Sequence, residues 1–163
     1  MKNTIKSIAA IAINTPANVI FSLFLTVFMS FNVSAKENIA DVAVKDAWVR
    51  TSVPGQKASG AFMTLTSKSD LQLVGVSSPV AGVAEVHEMK MNGDMMQMRA
   101  VPSLDLPAGK AVALRPGSFH VMLMDLKAAL PKDSTVPLTL LFKDAKGLQS
   151  QLQVTVPVRV TAP

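Results

Sequence analysis

The chain reads as an all-β protein, a sandwich or barrel of short strands, preceded by a segment that directs export. Three observations predict this. From Val42 onward, apolar and β-branched residues recur in short runs, several with the period of two that sends alternate side chains to opposite faces. Gly, Pro, Asn and Asp break those runs at short intervals, as strand-turn-strand architectures require. The one stretch with a helical look, Leu126 to Leu130, is too short to matter.

The elements follow in order. Lys2 and Lys6 give a positive start, Ile20 to Phe31 (IFSLFLTVFMSF) is an apolar run without a charge, and Val33-Ser34-Ala35 supplies a small-residue cleavage pattern. That run is short of the roughly 20 residues of a membrane span and suits the core of a signal peptide. Residues 1–35 are therefore expected to be a signal peptide and 36–163 the mature domain, with no stable membrane anchor after cleavage. An uncleaved anchor is the alternative, because Met1 to Val19 is long for the start of a signal. Strands are expected at Val42 to Arg50, Gly60 to Thr66, Leu71 to Val76, Val83 to Met91 and Met95 to Val101. Further strands are expected at Ala111 to Leu114, Phe119 to Met124, Pro137 to Phe142 and Leu148 to Val160.

Composition removes several functions. The 163 residues contain no cysteine, which excludes disulfides, thiolate metal sites, a cysteine nucleophile and a cysteine-linked lipid. Loss of Lys2 and Lys6 lowers the formal charge from +5 to +3, and the remaining basic residues are scattered singly. This is a solvated surface and not a nucleic-acid footprint. Neither a nucleophilic triad nor a Gly-rich phosphate loop is present, so an enzyme is not expected. A monomer is.

One clustering stands out. Seven of the ten methionines fall between Met89 and Met124, and both histidines of the chain, His87 and His120, lie among or beside them. Asn92-Gly93 predicts a type I′ hairpin turn, since both central residues of that turn need positive φ. On that register His87 faces Met98, Met89 faces Met96 and Met91 faces Asp94, with opposed Cβ atoms about 4.5 to 5.5 Å apart. A three-residue loop would instead send Met98 to the other face. In Phe119 to Met124, alternation puts Val121 and Leu123 in the core and leaves His120, Met122 and Met124 facing outward. Two strand pairs, each with one imidazole and one thioether, make a candidate four-ligand site of His87, Met98, His120 and Met122.

Thioether sulfur is soft and uncharged, so such a set favours Cu(I) over Zn, Mg or Ca. Methionine also forms no disulfide in an oxidising compartment, although it can be oxidised to the sulfoxide. The plainer alternative is two surface histidines among flexible methionines, giving an exported interaction module whose Met-rich face docks a partner without metal. Met89, Met91, Met96 and Met124 are expected on the face of the site and Met95 away from it. These five read foremost as part core and part apolar docking rim, with a secondary copper shell or entry path as the other reading. Trp48 is expected in the core. Glu85, Glu88 and Asp94 have no conspicuous partner and read as solvated, with Glu88 out of phase with His87. A blue-copper electron carrier is disfavoured, because that site needs a cysteine thiolate.

The spacing resembles a known family. His87, ten residues, Met98, twenty-one residues, His120, one residue and Met122 match the signature of the periplasmic copper chaperones called PCu(A)C. Asp46-Ala47-Trp48-Val49-Arg50, Val74 to Val80, Leu114-Arg115-Pro116-Gly117 and Val136-Pro137-Leu138-Thr139-Leu140 are similar to the family pattern as well. The resemblance implies a cupredoxin-like Greek-key β-sandwich that binds Cu(I) through His87, Met98, His120 and Met122 in the periplasm. It also implies delivery of copper to the CuA centre of a respiratory oxidase, often beside a Sco-type thiol protein. Some members carry a His- and Met-rich tail that binds Cu(II). This chain ends Val158-Arg159-Val160-Thr161-Ala162-Pro163, so a single copper site is expected. Phe119 is bulkier than the residue common before the second histidine.

Overall fold

The computed structural model describes residues 39–163, so the predicted signal peptide, residues 1–35, lies outside the described residues. Ten strands follow: β1 (Val42–Arg50), β2 (Ala58–Ser67), β3 (Leu71–Ser77), β4 (Val83–Asn92), β5 (Met95–Ala100), β6 (Leu104–Leu106), β7 (Ala111–Leu114), β8 (His120–Met124), β9 (Thr135–Asp144) and β10 (Gln149–Arg159). Hydrogen-bonded neighbours run in the order β5-β4-β8-β2-β1-β10-β9-β3-β6, with β7 also on β2. The pairings are antiparallel except β1 with β10, which meet in parallel through Val49 with Val158 and Arg50 with Arg159. A bulge between Lys45 and Trp48, with Asp46 at φ 51°, interrupts the register of β1 on β2.

Two packed layers result. One inner face carries Val49, Ala61, Met63, Leu65, Val121 and Leu123, the other Leu73, Leu138, Leu140, Phe142, Val156 and Val158, all essentially inaccessible to water. Removing apolar side chains from water stabilises the fold by about 1.5 to 3 kcal/mol each, before the entropy of ordering them is counted. Trp48 is buried as expected, and so are Val121 and Leu123.

Two elements depart from the sequence reading. Leu126 to Leu130 is not helical. Its amides bond elsewhere: Leu126 N–H donates to the Lys57 carbonyl, Lys127 N–H to that of Val80 and Leu130 N–H to Ser52 Oγ. Leu126 and Leu130 anchor this loop in the core. Strand β6 was not expected. It is three residues long, pairs with β3, and places Leu104 and Leu106 inside.

Strands β7 and β8 lie along the same partner. β7 pairs with β2 from Met63 to Thr66, and β8 with β2 from Ala58 to Ala61. They act as one interrupted strand, from which Arg115 to Phe119 is extruded as a loop. Pro116 and Gly117 form its corner, with Gly117 at φ 81° and Ser118 N–H donating to the Arg115 carbonyl at 3.1 Å. Pro followed by a residue with positive φ is the pattern of a type II turn.

Candidate metal centre

The hairpin that carries the first histidine turns one residue later than its sequence suggests. Asn92 pairs with Met95, so Gly93-Asp94 form the turn. Gly93 takes φ 61°, whereas neither Asn92 nor Asp94 has a positive φ, which fits a type II′ turn with Gly in its first central position. Such a turn asks for only one residue with positive φ. The longer register also matches side chains across the strands. Arg99 meets Glu88 at 3.0 Å, and Asn92 Nδ2 donates to Gln97 Oε1 at 3.3 Å.

This corrects the expected pairings. His87 faces Ala100, Met89 faces Met98, and Met91 faces Met96. The shift moves each partner by two residues, so the faces are conserved. Met98 stays on the side of His87 but sits diagonally, at a Cβ separation of about 7 to 8 Å that a long side chain can span. Met95, paired with Asn92, belongs to the opposite face, as expected.

The closest partner of His87 is instead the other histidine. In the antiparallel pairing of β4 with β8, His87 directly opposes His120, and the ring centroids are 6.1 Å apart. Each ring is oriented by an oxygen. His120 Nδ1–H donates to the Ser118 carbonyl at 3.1 Å, which leaves Nε2 as the ring's lone-pair nitrogen. The same carbonyl accepts Met89 N–H at 3.2 Å, so the extruded loop also fastens the hairpin. His87 Nε2–H donates to Glu85 Oε2 at 3.2 Å, leaving Nδ1 with the lone pair. That Nδ1 is buried and has no hydrogen-bond partner. An orphaned buried acceptor calls for an explanation, and an electron-pair acceptor such as a metal ion supplies one.

His120 is 4% exposed, although its strand face was expected to point outward. Phe62 lies beside it, ring centroids 6.2 Å apart, and Trp48 stacks behind Phe62 at 4.5 Å. The Arg50 guanidinium sits 5.6 Å from the Phe62 centroid. Gly60 makes room for this arrangement. A Cβ there would come within 2.8 Å of Phe62 Cζ, and Gly60 opposes Met122 across β2 and β8.

His120, Met122, Met98, Met89, Gly60 and Phe62 line a depression of about 440 Å³. Three of the four candidate ligands thus share one hollow, and His87 joins them through His120. A larger hollow of about 700 Å³ opens among Asp70, Gln72, Asp105 and Lys143 at the far sheet. Its acidic groups serve structure: Asp105 accepts from Gln72, and Asp70 from Ala108 N–H. Among the described residues no three His, Cys, Asp or Glu side chains gather as a metal cluster. The donors at the small hollow are imidazole and thioether, a soft set.

Glu85 is exposed, as expected, but it is not without a partner: it contacts His87. The signal was available, since residues two apart on a strand share a face. Glu88 also has a partner, Arg99, on the side of the hairpin away from the histidines. The roles of Ser118 and Gly60 had no signal in the sequence.

Comparison with known proteins gives a consistent picture. Residues 42–158 match the family described as "Putative lipoprotein LpqE-like". A relative from Leifsonia xyli subsp. xyli, "Putative lipoprotein Lxx21020", is 34% identical over 119 residues, covering 72% of this chain and 69% of its own. The solution structure of apo-DR1885 from Deinococcus radiodurans is 30% identical, with a TM-score of 0.56 over 99% of this chain and 97% of that one. Its Cu(I) form, CuI-DR1885, is 29% identical with a TM-score of 0.53, covering 79% and 84%. The copper-bound PCuAC domain from PmoF2 shares the fold, with a TM-score of 0.59 at 19% identity over 76% of this chain and 96% of that one.

Proposed function

Because this chain belongs to the LpqE-like family of PCu(A)C domains, we propose that it is an exported copper chaperone that holds one Cu(I) tightly between His87, His120, Met98 and Met122. The observation that carries the assignment is the opposed histidine pair. Two imidazoles on adjacent strands are each held by an oxygen on one nitrogen, and the other nitrogen of His87 is buried without a partner. Metal-binding histidines are commonly fixed this way, which sets the tautomer and raises ligand basicity. The copper-loaded states of CuI-DR1885 and the PmoF2 domain support copper as the cargo.

A carrier must also let go. Met98, on the exposed strand β5, is 47% exposed. A thioether on an open strand can be displaced by an incoming donor while the imidazoles, His120 buried and His87 half-buried, hold the ion in place. Release is then a sequence of ligand exchanges in which copper keeps its oxidation state, and no catalytic group is needed. The family resemblance supports the CuA centre of a respiratory oxidase as receiver, with a Sco-type thiol protein beside it, in the periplasm. The lipoprotein names of the family and of the Leifsonia relative fit export. None of the 163 residues is a cysteine that could carry the lipid.

Anaerobic Cu(I) titration against a competing chelator tests the reading, with X-ray absorption to count neighbours. One tight equivalent with two nitrogen and two sulfur neighbours is expected. Unchanged affinity in both Met98→Leu and Met122→Leu would overturn it. The exposed methionines of the hairpin favour one second reading, a metal-free docking module. Partner binding that survives His87→Ala without copper would support that module instead.

A further inference from the structure

The β4–β5 hairpin has two unlike faces. On one, Glu88 pairs with Arg99, Lys90 opposes Gln97, and Asn92 opposes Met95. On the other, Met89 opposes Met98 and Met91 opposes Met96. Between the His87–Ala100 pair and the turn, all four positions of that second face are methionine. Core filling does not explain the outer pair, because Met91 and Met96 are each 57% exposed. The pair sits next to the turn, beyond the His87–His120 rung that ties β4 to β8.

We propose that Met91 and Met96, with Met89 on the adjoining rung, form a second, weaker, thioether-only site for Cu(I) that acquires the ion before it reaches the histidines. Opposed residues have Cβ atoms about 4.5 to 5.5 Å apart, and each sulfur lies two bonds further out on a flexible chain. Two sulfurs of one rung therefore reach a common ion, and Met89, two residues along the same face, supplies a third. Soft, neutral sulfur donors select Cu(I) over the harder divalent ions.

The ladder is continuous with the site proposed above. Met89 and Met98 line the hollow that also holds His120 and Met122. An ion on the outer rung moves inward by exchanging one thioether for the next. No proton, electron or covalent bond to carbon changes hands, and the gradient is set by the two imidazoles at the inner end. This inward transfer rests on the reading of the histidine pair as the tight Cu(I) site. The outer site itself does not.

Methionine methyl NMR with ¹³C-methyl labelling separates the two claims. Cu(I) is added anaerobically, with Ag(I) as a redox-inert soft probe in a parallel series. The first equivalent is expected to shift the His87 and His120 ring signals with the Met98 and Met122 methyls. The second is expected to shift Met91, Met96 and Met89 and to saturate near one further equivalent. Met95 is the internal control, being 66% exposed but on the opposite face. Its methyl should stay still. A Met91→Leu, Met96→Leu variant, altered only at exposed positions, should lose the second event and keep the first. Equal response of Met95, a second event without saturation, or its persistence in the double variant would overturn the outer site. If the histidine rings ignore the first equivalent while Met91 and Met96 respond, the tight site and the inward transfer fail and the outer site alone stands.

Discussion

His120 is 4% exposed, is wedged beside Phe62, and donates one ring N–H to a loop carbonyl. Met98 is 47% exposed, on a strand whose six residues are all exposed. Both line one hollow, yet one is held by packing and a hydrogen bond and the other stands open to solvent. The difference teaches how a carrier separates holding from releasing. Preorganised imidazoles avoid the ordering cost at the moment of binding, because that cost was met when the chain folded. On the proposed function, an exposed thioether such as Met98 keeps the route for ligand exchange open.

That contrast can be broken at its packed end first. His120→Ala should abolish tight Cu(I) binding, a loss of at least about 100-fold in competition titration. It should also destabilise the apo fold by about 1 to 3 kcal/mol, read by urea unfolding, because it empties a buried position and removes one of the two donors on the Ser118 carbonyl. If the apo fold is indifferent, His120 is not the structural anchor described.

At the exposed end, Met98→Leu should weaken Cu(I) by about 10- to 100-fold with no change in unfolding midpoint beyond about 0.5 kcal/mol, since the side chain is exposed and its shape is kept. A matching loss of stability would make Met98 part of the packed half. Glu85→Ala tests what orients the second ring. Removing an outer partner of a metal-binding histidine commonly lowers affinity by about 10-fold or more. Glu85→Gln, which keeps an acceptor oxygen, should recover most of that loss. In the apo protein, ¹⁵N spectra of His87 should show mixed tautomers in the alanine variant and one dominant tautomer in the glutamine variant.

The smallest effect belongs to the far face of the same hairpin. Glu88→Gln disrupts a solvent-facing ion pair with Arg99, 3.0 Å long, for which about 0 to 1 kcal/mol is expected. Copper affinity should not change. A large affinity loss there would show that the two faces of the hairpin are coupled, and the division between them would need to be redrawn.

Much of this arrangement was legible in the chain. The bounds of β1 and β7 follow directly from their apolar runs, and Val121 and Leu123 are inside because alternation requires it. Parity also placed Met89, Met91, Met96 and Met98 on one face and Met95 on the other, and it survived a wrong choice of turn. The turn itself was misread because Asn-Gly is a strong local preference, while the register is a sum over several cross-strand pairs. Strand β6 escaped notice because its three residues offer too short a pattern, and the helical look of Leu126 to Leu130 misleads because its amide partners are remote in sequence.

By itself, the sequence determined which side chains share a face and what donors they bring, since period-two geometry and ligand chemistry are local properties. Only the tertiary structure decided which rungs meet. The opposition of His87 to His120, the Met89 amide on the Ser118 carbonyl and the pairing of Gly60 with Met122 all join segments distant along the chain. Long-range pairing is fixed by packing of the two layers, which no window of neighbouring residues records.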